Sequence, residues 1–323
     1  MCAAHMHIII PIMSDAINKF RYILALFRLL TCILSLQVVT VRNLLYAHNS
    51  SLWNNGMKKT TQVGAVPMVT IWVHGTKGTA RMLPFKTVQL FFDCLVGLNH
   101  YALLTPDYHH RKIAEMLHES EPEQFPLEHF YIFGWSGTLS FQDREKAARD
   151  LDSEIIELIQ RYKIQYDCTP RLRIITHSHG GNVVLNLARV HNPKALSYVV
   201  NELVLLACPV QVVTAKLAQE TMFESVCHLF SKTDIFQVID MQGLYRNNVK
   251  APLFSQRRFF TSHTMIQIAL KKGHRPLAHI EFLLKYFLQA LPTILIEARL
   301  LHQNSMLADH VHTIDIKKVE EST

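Results

Sequence analysis

No long uncharged apolar run occurs anywhere in the 323 residues. The N-terminal candidate, Leu29–Val41, holds thirteen residues between Arg28 and Arg42. A comfortable helical span of a bilayer needs about 20. Dense Lys/Arg runs are missing too. Beyond pairs such as Lys58-Lys59, Arg257-Arg258 and Lys271-Lys272 the positive charge is dispersed. The net charge of +7 therefore reads as a mild preference for anionic surfaces and gives no nucleic-acid footprint. The six cysteines stand singly, with no C-x-x-C pair and no zinc spacing, which favours free core thiols and a reducing, cytoplasmic compartment. His109, His110 and His118 lack acidic or cysteine partners at ligand spacing, which speaks against a metal site. Internal repeats and low-complexity tracts are absent as well.

What is present is enough apolar residue to fill a sizeable core: hydrophobic content is 49% and charged content 18%. Residues 1–60 differ from the rest. Tyr22–Val41 is apolar but for Arg28, with Lys19 and Arg21 before it. It reads as a packed or interfacial helix, a membrane anchor or a signal segment without a clean cleavage site. A turn-rich linker, Asn49–Gly56, separates it from the remainder of the chain. The organisation expected is an apolar helical region over 1–60, one large α/β domain over 61–300 and a polar tail over 301–323 whose last dozen residues fray.

From Met68 onward, β-branched apolar runs alternate with segments of helical spacing. Met68–Val73, Phe130–Phe133, Arg171–His177, Glu202–Cys208, Val226–Phe230 and Thr264–Leu270 read as strands. His109–Glu119 reads as a helix. So does Asp143–Ile164, with Ala147, Leu151, Ile155, Leu158 and Ile159 on one face. This alternation implies a mostly parallel sheet with helices on both faces. Residues 81–128 are more than a loop and read as a crossover helix plus a cap-like insertion.

The densest chemistry lies in Thr176-His177-Ser178-His179-Gly180-Gly181, where an apolar strand ends and a helix with Val183, Val184 and Leu187 begins. A sharp strand–turn–helix of this kind pushes the serine hydroxyl out at the strand end, and small neighbours let strand and helix approach. Gly134-Trp135-Ser136-Gly137 offers a competing serine, but a loop rather than a helix succeeds it. Trp135 and Ser136 are expected to line the pocket, at the end of the sheet where such folds place ligands.

The turn around Ser178 resembles the nucleophile elbow of the α/β-hydrolase superfamily, in particular lipases and esterases, with Thr176 in place of the first glycine of G-x-S-x-G. The resemblance spans about residues 66–290. It implies an oxyanion hole built from backbone N–H groups of the turn after the first strand, His74-Gly75-Thr76, and of His179, with His74 beside the pocket. It also implies the chain order serine, acid, histidine, and acyl-enzyme chemistry without a metal or organic cofactor. Asp234, four residues past the Val226–Phe230 strand, has the expected address of the acid, with Asp240 in reserve. Two histidines qualify as the base that serine chemistry requires, His274 and His279, and His279 is preferred.

The expectation is therefore a Ser178–Asp234–His279 serine hydrolase of carboxylic esters. Its substrate is a small ester or a lipid, its partners include no nucleic acid, and a membrane surface could be met through the N-terminal region. An acyltransferase or thioesterase using the same residues, or a non-catalytic binding protein on the same scaffold, are the alternatives.

Overall fold

The computed structural model describes residues 66–77, 94–232, 234, 258–260, 262–304 and 311–320. The N-terminal region 1–60, residues 81–93 and Asp240 lie outside them, so the expectations placed there lie outside them too. Among these residues nine strands form one sheet. They are β1 (Met68–Val73), β2 (Gly97–His100), β3 (Phe130–Gly134), β4 (Arg171–His177), β5 (Glu202–Leu206), β6 (Val226–Phe230), β7 (Met265–Lys272), β8 (Arg275–Pro276) and β9 (His312–Asp315). Their order is β2-β3-β1-β4-β5-β6-β7-β8, with β9 also on β7. All pairings are parallel except β2 with β3 and β7 with β8. The class is α/β with a mostly parallel sheet.

The central strands are continuous apolar runs because both their faces are covered. The helices are α1 (His109–Ser120), α2 (Phe141–Tyr166), α3 (Gly180–Leu185), α4 (Leu187–Val190), α5 (Val212–Ala215), α6 (Lys285–Asn304) and α7 (Ile316–Glu320). On one face of the sheet, Val69, Ile71 and Val73 of β1 pack with Ala147, Leu151 and Ile155 of α2. On the other, Trp72, Ile132 and Ile175 meet a second helical layer. Helices α2 and α3 serve the first face; α1, through Ile113 and Leu117, and α6, through Leu288, Leu291 and Leu295, serve the second. Each such aliphatic side chain taken fully from water contributes about 1.5–3 kcal/mol.

Helix α2 starts two residues earlier than its apolar spacing suggests, because the Ser140 side chain caps it by accepting from the Asp143 N–H at 3.2 Å. The segment after the elbow is two short helices instead of one. They meet at Asn186, whose side-chain amide donates to the Asn182 carbonyl at 2.8 Å. The described part of the 81–128 insertion, from Cys94 on, is built into the sheet as β2 and onto its face as α1.

The expectation of a frayed end is corrected. His312–Asp315 adds a parallel strand to β7, in register Ile268 to His312 through Lys271 to Asp315. Ile314, Ile316 and Val319 are buried behind it, and Asp315 accepts from the Gly273 N–H at 2.8 Å. A short run of alternating apolar residues finds burial because β7 offers an open edge. Among the described residues no helix is long and apolar enough to cross a membrane. The four described cysteines, Cys94, Cys168, Cys208 and Cys227, are thiols that form no disulfide.

Candidate active site

Parallel strands bring their carboxyl ends to one edge of the sheet, and every singled-out side chain comes after one of those ends. Gly75 and Thr76 come after β1, Trp135 and Ser136 after β3, Ser178 after β4, and Asp234 lies four residues past β6. His279 comes after the β7–β8 hairpin, at the start of a 3-10 turn, His279–Leu283.

Ser178 has φ of +52°, the left-handed region that a residue with a Cβ seldom enters. Such strain costs on the order of 1–3 kcal/mol and persists only where the surroundings enforce it. Here they do. The Ser178 N–H continues the β4–β5 ladder to the Leu206 carbonyl at 2.8 Å, and the Ser178 carbonyl accepts from Gly181 at 3.0 Å to begin α3. The neighbouring strand end repeats the device: Ala207 has φ of +49°, and its N–H reaches the Leu229 carbonyl at 2.8 Å.

Two glycines make the turn possible. A Cβ on Gly75 would stand 2.8 Å from the Ser178 Cβ, and one on Gly180 2.5 Å from the His74 carbonyl oxygen. The backbone of the β1 turn thus lies directly against the serine and against the first turn of α3.

His74 holds that backbone turn in place. The Trp135 N–H donates to His74 Nε2 at 3.1 Å, which forces the proton onto Nδ1, and Nδ1 donates to the Gly75 carbonyl at 2.6 Å. The Trp135 indole N–H closes the clamp on the His74 carbonyl at 2.8 Å, and the two rings stack. Burial, helped by the nearby Lys77 charge, pushes the His74 imidazole down to about 3, so the ring is neutral in any ordinary buffer. The sequence places both residues along a pocket; in the fold both are buried and grip each other.

Asp234 is fully buried, and its Oδ2 accepts from His279 Nδ1 at 2.6 Å. That bond fixes the His279 tautomer and leaves Nε2 as the nitrogen with which the ring can take a proton. His177 ties the same residue to the elbow strand. Its Nε2 donates to the His279 carbonyl at 3.3 Å, and the two rings lie 4.7 Å apart. Burial holds His177 well below the ordinary histidine range, with the neighbouring His279 charge acting in the same direction. His274, by contrast, sits exposed in the tight β7–β8 turn beside Gly273, whose φ is +64°.

His179 comes directly after the serine and opens α3. Its ring is buried, pushed to about 3 first by desolvation and then by Arg144. Asn182, one turn on, donates to the Pro209 carbonyl at 3.0 Å and accepts from the Thr214 hydroxyl. This pins the loop after β5 to the elbow helix. Nothing in the sequence around Thr214 signals that bond. Ser136 is exposed and hydrogen-bonds to Thr138 at 3.0 Å, on a backbone with no left-handed serine. Among the described residues no cluster of His, Cys, Asp and Glu could hold a metal ion.

The chain matches no protein-family model, and no curated protein or solved structure is significantly similar to it. What the site can do therefore rests on its chemistry. A strained serine, a buried carboxylate bonded to an imidazole and a glycine turn pressed on the serine stand at one sheet edge.

Proposed function

We propose that this chain is a serine hydrolase of carboxylic esters, built on an α/β-hydrolase-like scaffold and working through Ser178, Asp234 and His279. The observation that carries the reading is the combination of Ser178 at φ +52° with the 2.6 Å hydrogen bond from His279 to the buried Asp234 at the same end of the sheet. Backbone strain and a carboxylate taken wholly out of water are both costly, and functional sites are where such costs recur.

In this reading Ser178 Oγ attacks the ester carbonyl while His279 Nε2 takes its proton. Asp234 steadies the imidazolium that forms and keeps its own negative charge. The carbonyl oxygen becomes an oxyanion held by backbone N–H groups at Gly75, Thr76 and His179. Each such preorganised donor is worth about 3 kcal/mol of barrier. The clamp of Trp135 on His74 serves this step, because an oxyanion turn fixed beforehand has no reorganisation to undergo when charge develops. The imidazolium returns its proton to the leaving alcohol, and water then cleaves the acyl-enzyme by the same route.

Labelling with a fluorophosphonate probe tests the reading. Wild-type protein and the Ser136→Ala and His274→Ala variants should label, whereas Ser178→Ala should not and His279→Ala should label far more slowly. Equal labelling of Ser178→Ala and wild type would refute the assignment of the nucleophile.

A further inference from the structure

Helix α1 opens on His109-His110-Arg111-Lys112, with no acidic residue in its first turn. A helix N-terminus carries partial positive charge and ordinarily attracts Asp or Glu. The N-cap residue, Tyr108, makes no side-chain cap, and the Lys112 N–H donates to the Tyr108 carbonyl at 3.2 Å. The amides of His109, His110 and Arg111 therefore precede the first acceptor that the helix itself provides.

His110 is the anomaly in that turn. It continues the stripe of Ile113, Ala114 and Leu117 that packs on the sheet, where an apolar side chain belongs. It is only 3% exposed, and among the described residues neither ring nitrogen has a hydrogen-bond partner. Buried polar atoms left in that state are rare and costly. Side chains on a helix lean toward its N-terminus, which turns this ring toward the open end of α1.

The ring is also beside the site. The His110 and His74 ring centroids are 5.5 Å apart, and His74 holds the Gly75 turn that presses on Ser178. Outward from His110, the residues Tyr108, His109, Thr76 and Lys77 are half-buried, so the place lies one layer beneath the surface.

Its surroundings are positive. Burial, and then the charges of His74, His109, Lys77 and His177, hold His110 well below the ordinary histidine range, and no carboxylate opposes them. Asp107, the nearest acid along the chain, is exposed and hydrogen-bonded to Thr105. Arg111 is committed to Glu115 and to the Leu104 carbonyl. An anionic oxygen group would supply what this place lacks: acceptors for the helix amides and an imidazole N–H, and negative charge among cations.

We infer that His110, the open end of α1 and Lys77 form a subsite for an anionic oxygen group, a carboxylate or a phosphate, and that the ester attacked by Ser178 carries that group. The second half rests on the hydrolase reading; the first does not.

Binding of succinate and of inorganic phosphate to the Ser178→Ala protein, read by calorimetry, tests the subsite without the chemistry. At least one of the two should bind, and the tighter one names the group. Adding His110→Leu, which completes the apolar stripe with a good helix former, should weaken binding at least about tenfold, the worth of one charged hydrogen bond. Lys77→Met should weaken it about threefold or more, and His110→Gln, which keeps a donor and an acceptor, should recover part of the loss. Failure of both anions to bind, or binding that neither His110→Leu nor Lys77→Met weakens, would overturn the subsite. Turnover tests the second half in protein that retains Ser178. The kcat/KM for p-nitrophenyl hemisuccinate or p-nitrophenyl 3-phosphonopropanoate, divided by that for p-nitrophenyl butyrate, should exceed one and fall at least about tenfold with His110→Leu. A ratio that His110→Leu leaves unchanged would overturn the second half. Anion binding by a protein that neither labels with fluorophosphonate nor turns over any ester would remove the hydrolase reading and leave the subsite standing.

Discussion

Lowering the pH from 7 to 5 should strip most of the stability from this chain, through histidines that lie in its interior. His74, His179 and His228 are each buried and each held down to about 3, with desolvation the leading cause in all three. His110 and His177 are buried and depressed in the same direction, and neither ring nitrogen of His110 makes a hydrogen bond. In the unfolded chain a histidine takes up its proton near 6.5. Between about 3 and 6.5, then, the unfolded state binds more protons than the folded one, and stability rises with pH. The contribution of each ring is complete above 6.5 and is lost as the pH falls below it. At pH 5 the loss is about 2 kcal/mol per ring, so three rings cost about 6 kcal/mol. A domain's whole stability is about 5–15 kcal/mol.

Carboxylates barely contribute in that window. Glu281, held at about 2 chiefly by its hydrogen bond to Arg275, loses its contribution only as pH falls below the ordinary carboxylate range. Urea unfolding at pH 7, 6 and 5, monitored by the fluorescence of the buried Trp72 and Trp135, would read the effect. His228 offers a control away from the site, since it sits in the middle of β6. His228→Gln should shrink the difference between pH 7 and pH 5 by about 2 kcal/mol. Unfolding free energies that agree within about 1 kcal/mol from pH 7 to 5 would refute the reasoning, because five buried neutral imidazoles cannot be pH-neutral in that range.

The site itself supports two more outcomes. Gly75→Ala places a methyl group 2.8 Å from the Ser178 Cβ, so turn or serine must shift. Displacements of about 1 Å at reacting groups cost on the order of a hundredfold, and turnover of a p-nitrophenyl ester should fall by about that factor with circular dichroism unchanged. Asp234→Asn should lower kcat by about ten-thousandfold, since an amide facing His279 Nδ1 selects the wrong tautomer, whereas His274→Ala should leave it as in wild type. An Asn variant that retains more than about a tenth of wild-type turnover would remove Asp234 from the chemistry.

Elements that are long, apolar and bounded by turns are legible in the sequence. Met68–Val73 and Val226–Phe230 are strands to the residue, since a run buried on both faces has little else it can become. The edge strands are not legible. Gly97–His100 carries no apolar run, and His312–Asp315 lies in a polar tail; each becomes a strand because an open edge of β3 or β7 supplies its hydrogen bonds. The same limit applies to the two histidines. His274 and His279 lie five residues apart in one loop-like stretch. What separates them is the fold-back of β8 on β7, which leaves His274 on an exposed turn and carries His279 on to Asp234. His177 reads as a packing residue in the sequence, and its bond to the His279 carbonyl depends on a contact between residues 102 apart in the chain.

Thr176 shows why the spelling of a motif and its physical requirement can part company. The first small residue of G-x-S-x-G is there to let backbone elements approach, and threonine at that place weakens the written match. In the folded chain the Thr176 side chain is buried toward β5, and its hydroxyl donates to the Val204 carbonyl at 3.2 Å. It behaves as an ordinary satisfied strand residue, of the β-branched kind strands favour. The close approaches fall elsewhere: Gly75 against Ser178, and Gly180 against the carbonyl of His74. The tightness that a strained serine needs comes from the β1 turn against Ser178 and from the first turn of α3, where Gly180 lies against His74 and Gly181 against Leu205 and Cys208. A larger residue fits at 176 because none of these approaches is made to its side chain, and the positions where a single methyl group should cost function are 75, 180 and 181.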